Sequence, residues 1–166
     1  MSTLISFRTW NIIWWSKAGG TIATTHWVFD VKLGPDGWIE RFKARLVVRG
    51  NEQSKDDFDE TFAPVLQLNS LQILIALDAR YGLLAYILDA SNAFISSDLD
   101  KLNCMEIPEG LQDFDPDAIE GMVLELRKSL YGLHQSVNLW HQKITSFLMK
   151  IGFRPTTADP SMFINN

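Results

Sequence analysis

The segment Gly34-Pro35-Asp36-Gly37 constrains this chain most, because it fixes a reversal and with it the pairing of its flanks. Proline presets φ for a turn and glycine tolerates positive φ. Before it, His26 to Leu33 is rich in β-branched and aromatic residues; after it, Trp38 to Arg49 returns. The pattern predicts a β-hairpin. Successive side chains on a strand alternate faces. Phe42, Ala44, Leu46 and Val48 therefore share one face of the returning strand, and Arg41, Lys43, Arg45 and Arg49 the other. From Glu40 to Lys55 five positive side chains stand against two negative ones, in a chain of formal net charge −5. The basic face has two readings: a solvated sheet face, or a surface that meets phosphates.

The overall acidity argues against an autonomous, tight nucleic-acid binder but leaves room for one local basic surface. With 166 residues, 46% of them hydrophobic, the chain suffices for one globular domain with a real core. Its longest apolar run is Leu83 to Leu88, too short to span a membrane. Trp10 to Trp15 is interrupted by Asn11 and followed by no small-residue cleavage site, so no secretory signal is expected. The single cysteine, Cys104, excludes an internal disulfide and a cysteine-based zinc site, and fits an intracellular setting, cytoplasmic or nuclear. Trp10, Trp14 and Trp15 crowd the N-terminus and need a core or a partner to cover them.

Further along, Asn69 or Ser70 can cap a helix whose stripe is Leu71, Leu74, Ile75 and Ala79 and which Gly82 ends. Leu83 to Leu88 reads as a buried strand ending at Asp89. Cys104 to Ile107 and Met122 to Leu126 are shorter strand candidates. Trp140, Ile144, Phe147, Leu148 and Ile151 define one face of a helix from Ser136 to Ile151. Strands and helices mix without regular alternation, which favours an α+β fold.

Asp89 is the most suggestive single residue. A carboxylate ending a buried strand sits at a sheet rim, where it can hold Mg²⁺; Asp89-Ala90-Ser91-Asn92 is also a capping sequence, the commoner role of an aspartate so placed. His134 and His141 are seven apart and supply two ligands at most, a thin basis for an unrelated small enzyme. No nucleophile elbow or phosphate-binding glycine loop is present in the sequence.

Taken in order, the motifs are more specific. Trp27-Val28-Phe29, Pro35-Asp36-Gly37 and Arg41-Phe42-Lys43-Ala44-Arg45-Leu46-Val47 are followed by Glu60-Thr61-Phe62-Ala63-Pro64-Val65 and Leu88-Asp89. Then come Ala93-Phe94, Pro108-Glu109-Gly110, Leu130-Tyr131-Gly132-Leu133, Gln135, Trp140 and Asp159-Pro160-Ser161-Met162-Phe163. This ordered set resembles the reverse transcriptase of copia-type retrotransposons, from about Trp27 to Phe163. The resemblance implies a fingers and partial palm fold over residues 26–166, preceded by a poorly defined extension, 1–25. It implies Lys43 and Arg45 on template backbone or incoming triphosphate. Asp89, with the Ala90 carbonyl, would be the first palm position for the two Mg²⁺ ions of polymerisation. Phe94 would exclude a ribose 2′-hydroxyl, and Tyr131, Gly132 and Gln135 would line the nucleotide and template pocket. Expected partners are an RNA or DNA template-primer, deoxynucleoside triphosphates and the rest of a Pol polyprotein, with no membrane.

The sequence also departs from the pattern. The family's usual Leu-Lys-Gln-Ala-Pro-Arg-Ala-Trp reads Leu133-His134-Gln135-Ser136-Val137-Asn138-Leu139-Trp140, which loses a Lys, an Arg and a Pro. The family's Tyr-Val-Asp-Asp hairpin does not occur before Asn166, so the chain alone is expected not to polymerise DNA. The alternative is a non-catalytic binding module, or a degenerate retroelement relic, that uses the fold for interaction.

Overall fold

A computed structural model describes residues 1–165. The elements in chain order are α1 (Ser2–Ser6), β1 (Trp10–Trp14), β2 (Ile22–Ala23), β3 (Thr25–Leu33) and β4 (Ile39–Val48). There follow α2 (Leu68–Tyr81), β5 (Asp98–Met105), β6 (Met122–Lys128), α3 (Ser136–Lys150), β7 (Phe153–Pro155) and β8 (Phe163–Asn165). The mixed α and β class expected from the sequence is the class observed.

Three sheets form. The largest has the order β1-β6-β5-β2, β3 pairs with β4, and β7 pairs with β8. Antiparallel β6 runs between β1 and β5, pairing Trp10 with Leu126 on one side and Met105 with Leu124 on the other. Its residues Val123 and Leu124 are fully buried, as is Met105 beside them. The core gathers there with Trp10, Ile95, Leu111, Ala118, Leu130 and Leu133, and the inner end of β4 adds Leu46 and Val48. Residues 10–14, undefined in the sequence, are thus an edge strand of the main sheet. The three tryptophans separate: Trp10 is buried, whereas Trp14 and Trp15 are about half exposed.

The hairpin forms as the turn chemistry dictates. Gly34 N–H donates to the Trp38 carbonyl at 2.8 Å, and Asp36 Oδ1 accepts from Trp38 N–H at 3.2 Å. The register sets Phe29 opposite Ala44, Val31 opposite Phe42 and Asp30 opposite Lys43. The parity expected of β4 holds: one face carries Trp27, Phe29, Val31, Phe42 and Ala44, the other Asp30, Lys32, Arg41, Lys43 and Arg45. Only the inner end of the apolar face is covered. Leu46 and Val48 are buried, but Phe29 and Phe42 are each 76% exposed.

Two expectations fail together. The run Leu83–Leu88 is not a buried strand: it is irregular, and Ile87 and Leu88 are 98% and 93% exposed. A strand needs neighbouring backbone to satisfy its N–H and C=O groups, and no described strand lies beside this run. The helix before it, α2, ends as expected on Gly82 at φ +62. Its stripe is nevertheless open to solvent, and Ser70 is its only buried residue. One carboxylate moors it: Asp159 Oδ2 accepts from Gln67 N–H at 2.9 Å at the helix start, while Oδ1 accepts from Ser161 N–H at 3.0 Å.

Candidate functional site

The site begins with the polar face of the hairpin. Lys43 and Arg45 lie two residues apart on β4 and are half-buried. Across the strand pair Asp30 faces Lys43 and meets Lys32 Nζ at 2.9 Å. The Lys32 contact, helped by the charges of Arg45 and Lys43, holds the Asp30 carboxyl below the usual carboxylate range.

Tyr131 is brought to this face by main chain. Val48 N–H donates to the Tyr131 carbonyl at 2.8 Å, and Val47 and Tyr131 form a parallel bridge. The approach requires glycine on both sides. A Cβ on Gly132, whose φ is +96, would overlap the Val48 carbonyl oxygen, and one on Gly50 would overlap the Gly132 carbonyl oxygen. The Phe94 ring then meets the Tyr131 ring edge-on, with centroids 4.8 Å apart at 74°. Lys43, Arg45, Asn92 and Tyr131 line a single cavity of about 170 Å³, floored by Leu46, Ile95 and Leu130. Residues from three separate stretches of sequence thereby converge on one place.

Gln135 does not reach it. Its side chain is fully buried and spent inside the protein. Gln53 Nε2 donates to Gln135 Oε1 at 3.2 Å and to Asn103 Oδ1 at 2.7 Å, while Gln135 Nε2 and Asn103 Nδ2 both donate to the Asp57 carbonyl. Gln53 Oε1 closes the network by accepting from His134 N–H at 2.9 Å. Neither Gln53 nor Asn103 is signalled in the sequence, because their partners lie far away along the chain. Asn92, read in the sequence only as part of a capping stretch, adopts φ +58, an uncommon conformation for a residue other than glycine.

Asp89 and Ala90 stand apart, in the exposed irregular segment after Leu88. Asp89 is neither at a sheet rim nor a cap, since the short 3-10 turn Phe94–Ser96 begins after Ala93. Among the described residues no three His, Cys, Asp or Glu side chains gather where they could share a metal ion. One carboxylate and one carbonyl do not make the two-ion Mg²⁺ site that the resemblance implies. His134 packs its ring on Phe58 at 4.8 Å, and the Nε2 of His141 is buried without a partner among the described residues.

The ordered motifs thus sit on an α+β fold in which a basic hairpin face is clamped to the Tyr131-Gly132 turn. Residues 7–166 match the reverse transcriptase (RNA-dependent DNA polymerase) family, and the chain belongs to it. Among curated relatives, the retrovirus-related Pol polyprotein from transposon TNT 1-94 of Nicotiana tabacum is 41% identical over 138 residues, 82% of this chain and 10% of the relative. The Pol polyprotein from transposon RE2 of Arabidopsis thaliana is 33% identical over 162 residues, 96% of this chain and 11% of the relative. The Ty1-ER2 Gag-Pol polyprotein of Saccharomyces cerevisiae is 32% identical over 115 residues, 65% of this chain and 6% of the relative. The chain thus spans about a tenth of the length of the plant relatives. No solved structure matches it. The expectation of a reverse transcriptase portion of a copia-type Pol polyprotein is borne out. No helix among the described residues is long and apolar enough to cross a membrane.

Proposed function

We propose that this chain is the fingers and first part of the palm of an RNA-directed DNA polymerase, and that it binds phosphate groups without polymerising on its own. The observation that carries this is the convergence of Lys43, Arg45 and Tyr131 on one cavity, with the Phe94 ring packed behind Tyr131. Two cations beside an aromatic ring suit a nucleotide or a nucleic-acid backbone: the charges position the phosphates and the ring offers a face to stack on. Among the described residues too few carboxylates gather around Asp89 to hold two metal ions, which supports the reading that the chain does not polymerise alone. The template-primer, the deoxynucleoside triphosphates and the remainder of the polyprotein are the partners this reading assigns, inside the cell.

Primer extension tests it. Purified chain with primed template, deoxynucleoside triphosphates and Mg²⁺ is expected to give no more product than an Asp89→Ala control. Binding of a single-stranded oligonucleotide is expected to weaken steeply with salt and to fall in a Lys43→Ala/Arg45→Ala variant. Product above the control refutes inactivity; salt-independent binding refutes the phosphate role. A second reading, a non-catalytic interaction module, draws on Trp14 and Trp15, 48% and 54% exposed at the sheet edge. A partner that binds the native chain but not a Trp14→Ser/Trp15→Ser variant favours it.

A further inference from the structure

One wall of the cavity beside Tyr131 comes from the N-terminus. Met1, Thr3 and Leu4 line it together with Lys43, Arg45 and Tyr131. Thr3 and Leu4 belong to α1 and Met1 caps it, and all three precede the stretch matched to the reverse transcriptase family, residues 7–166. Met1 and Leu4 pack half-buried against the core.

The hold on this wall is slight. α1 has five residues, none of them buried, and no side-chain cap. A single turn of helix has no stability of its own and depends on what it touches. Beyond the contacts of Met1 and Leu4, its anchor is the Leu4 carbonyl, which accepts from Thr9 N–H at 3.2 Å and from Thr9 Oγ1 at 2.6 Å. Between the turn and β1 the chain reverses at Arg8, at φ +50, a conformation sparsely populated by residues other than glycine. A short, weakly anchored element joined through a strained residue is where local opening is expected.

We infer that residues 1–8 are a displaceable cover over the Lys43–Arg45–Tyr131 cavity, which excludes a phosphate-bearing ligand while α1 is docked and admits it when α1 swings away. The inference rests on the reading that this cavity takes phosphate groups. Docked, the cover lowers apparent affinity by the fraction of molecules that are open.

The test uses the full chain, a Leu4→Asp variant and an Ile5→Asp control. Ile5 is 36% exposed and does not line this cavity, so the control carries the same charge on the other side of the turn. Urea midpoints confirm that all three fold, and deletion of residues 2–7 serves if Leu4→Asp does not. The first probe is a fluorescent N-methylanthraniloyl derivative of dATP. About tenfold tighter binding by Leu4→Asp, with Ile5→Asp unchanged, supports the cover. Equal affinity in all three overturns it and leaves the phosphate reading standing. Binding by none overturns the phosphate reading, and with it the ligand the cover excludes.

The second probe needs no nucleotide. A thiol introduced by Arg45→Cys is labelled with a neutral disulfide reagent, with and without Leu4→Asp, after subtracting the rate of the native chain with its buried Cys104. Severalfold faster labelling with Leu4→Asp supports a displaceable cover. An unchanged rate overturns it.

Discussion

Replacing Gly132 by Ala attacks the backbone approach that joins Tyr131 to β4. Gly132 sits at φ +96, where a Cβ costs about 1–2 kcal/mol. Its Cβ would also overlap the Val48 carbonyl oxygen and press on Val47 Cγ1 at 2.9 Å. Both neighbours belong to a strand held in a sheet, so the turn must withdraw. Withdrawal breaks the 2.8 Å bond from Val48 N–H to the Tyr131 carbonyl, and a buried group left unpaired costs about 1–3 kcal/mol. Together these reach about 3 kcal/mol, a large share of the roughly 5–15 kcal/mol that holds a domain folded. With a urea dependence of about 1–3 kcal/mol per molar, the unfolding midpoint should fall by more than about 1 M. Tryptophan fluorescence follows the transition. Gly110→Ala is the control: its φ is +82 but nothing lies within 4 Å of the added carbon, so it carries the backbone strain alone. If the two variants shift the midpoint equally, the close approach of Gly132 to β4 is wrong, and with it the placement of Tyr131.

Two further outcomes follow from the buried polar groups. Gln53→Leu strips Gln135 and Asn103 of a shared donor and His134 N–H of its acceptor, and thermal unfolding should report a loss of about 1–3 kcal/mol; an unchanged melting temperature refutes the network. Asp159 is held below its usual carboxylate range by the Ser70 hydroxyl first, then by Gln67 N–H and Ser161 N–H. A depressed carboxyl stabilises the fold above its unfolded value of 3.8, and that stability is lost as pH falls through the lower folded value. Hydrogen exchange in α2 should therefore accelerate as the solution is acidified below about pH 4 relative to other helices, and Asp159→Ala should remove the difference; the same acid response in the variant refutes the mooring.

What the sequence revealed depended on how local the cause was. The hairpin was legible because its turn and its alternation lie within one stretch, and the same parity put Lys43 and Arg45 on a common face. The helix from Ser136 was legible from its period, although Phe147 and Ile151 are exposed while Trp140, Ile144 and Leu148 are half-buried. The edge strand at Trp10 was hidden by Asn11, whose amide in fact donates to Glu125 across the pair at 3.0 Å. Leu83–Leu88 misled because an apolar run specifies burial only where something comes to cover it. In the site, Tyr131 was read from its motif, but Gln135 was read as facing ligand when Gln53 and Asn103, distant in sequence, draw it inward. Asp159 acts on a helix start 92 positions away, which no window along the chain detects.

The clamp that fixes Tyr131 is made of backbone: two glycines, one carbonyl and one amide. Its geometry is therefore indifferent to the identity of the side chains that follow, and the stretch after it is one place where the sequence departs from the family pattern. Ser136, in place of the usual alanine, turns its hydroxyl to the Leu130 carbonyl and receives that of Ser129 at 2.6 Å. Asn138, in place of the usual arginine, donates to the Phe62 carbonyl. At position 138 a charge has been exchanged for a hydrogen bond inside the protein, while Gly50 and Gly132 keep the close approach open. A lineage under this regime would lose its grip on substrate long before it lost its shape, so the survival of the fold is poor evidence for the survival of the chemistry.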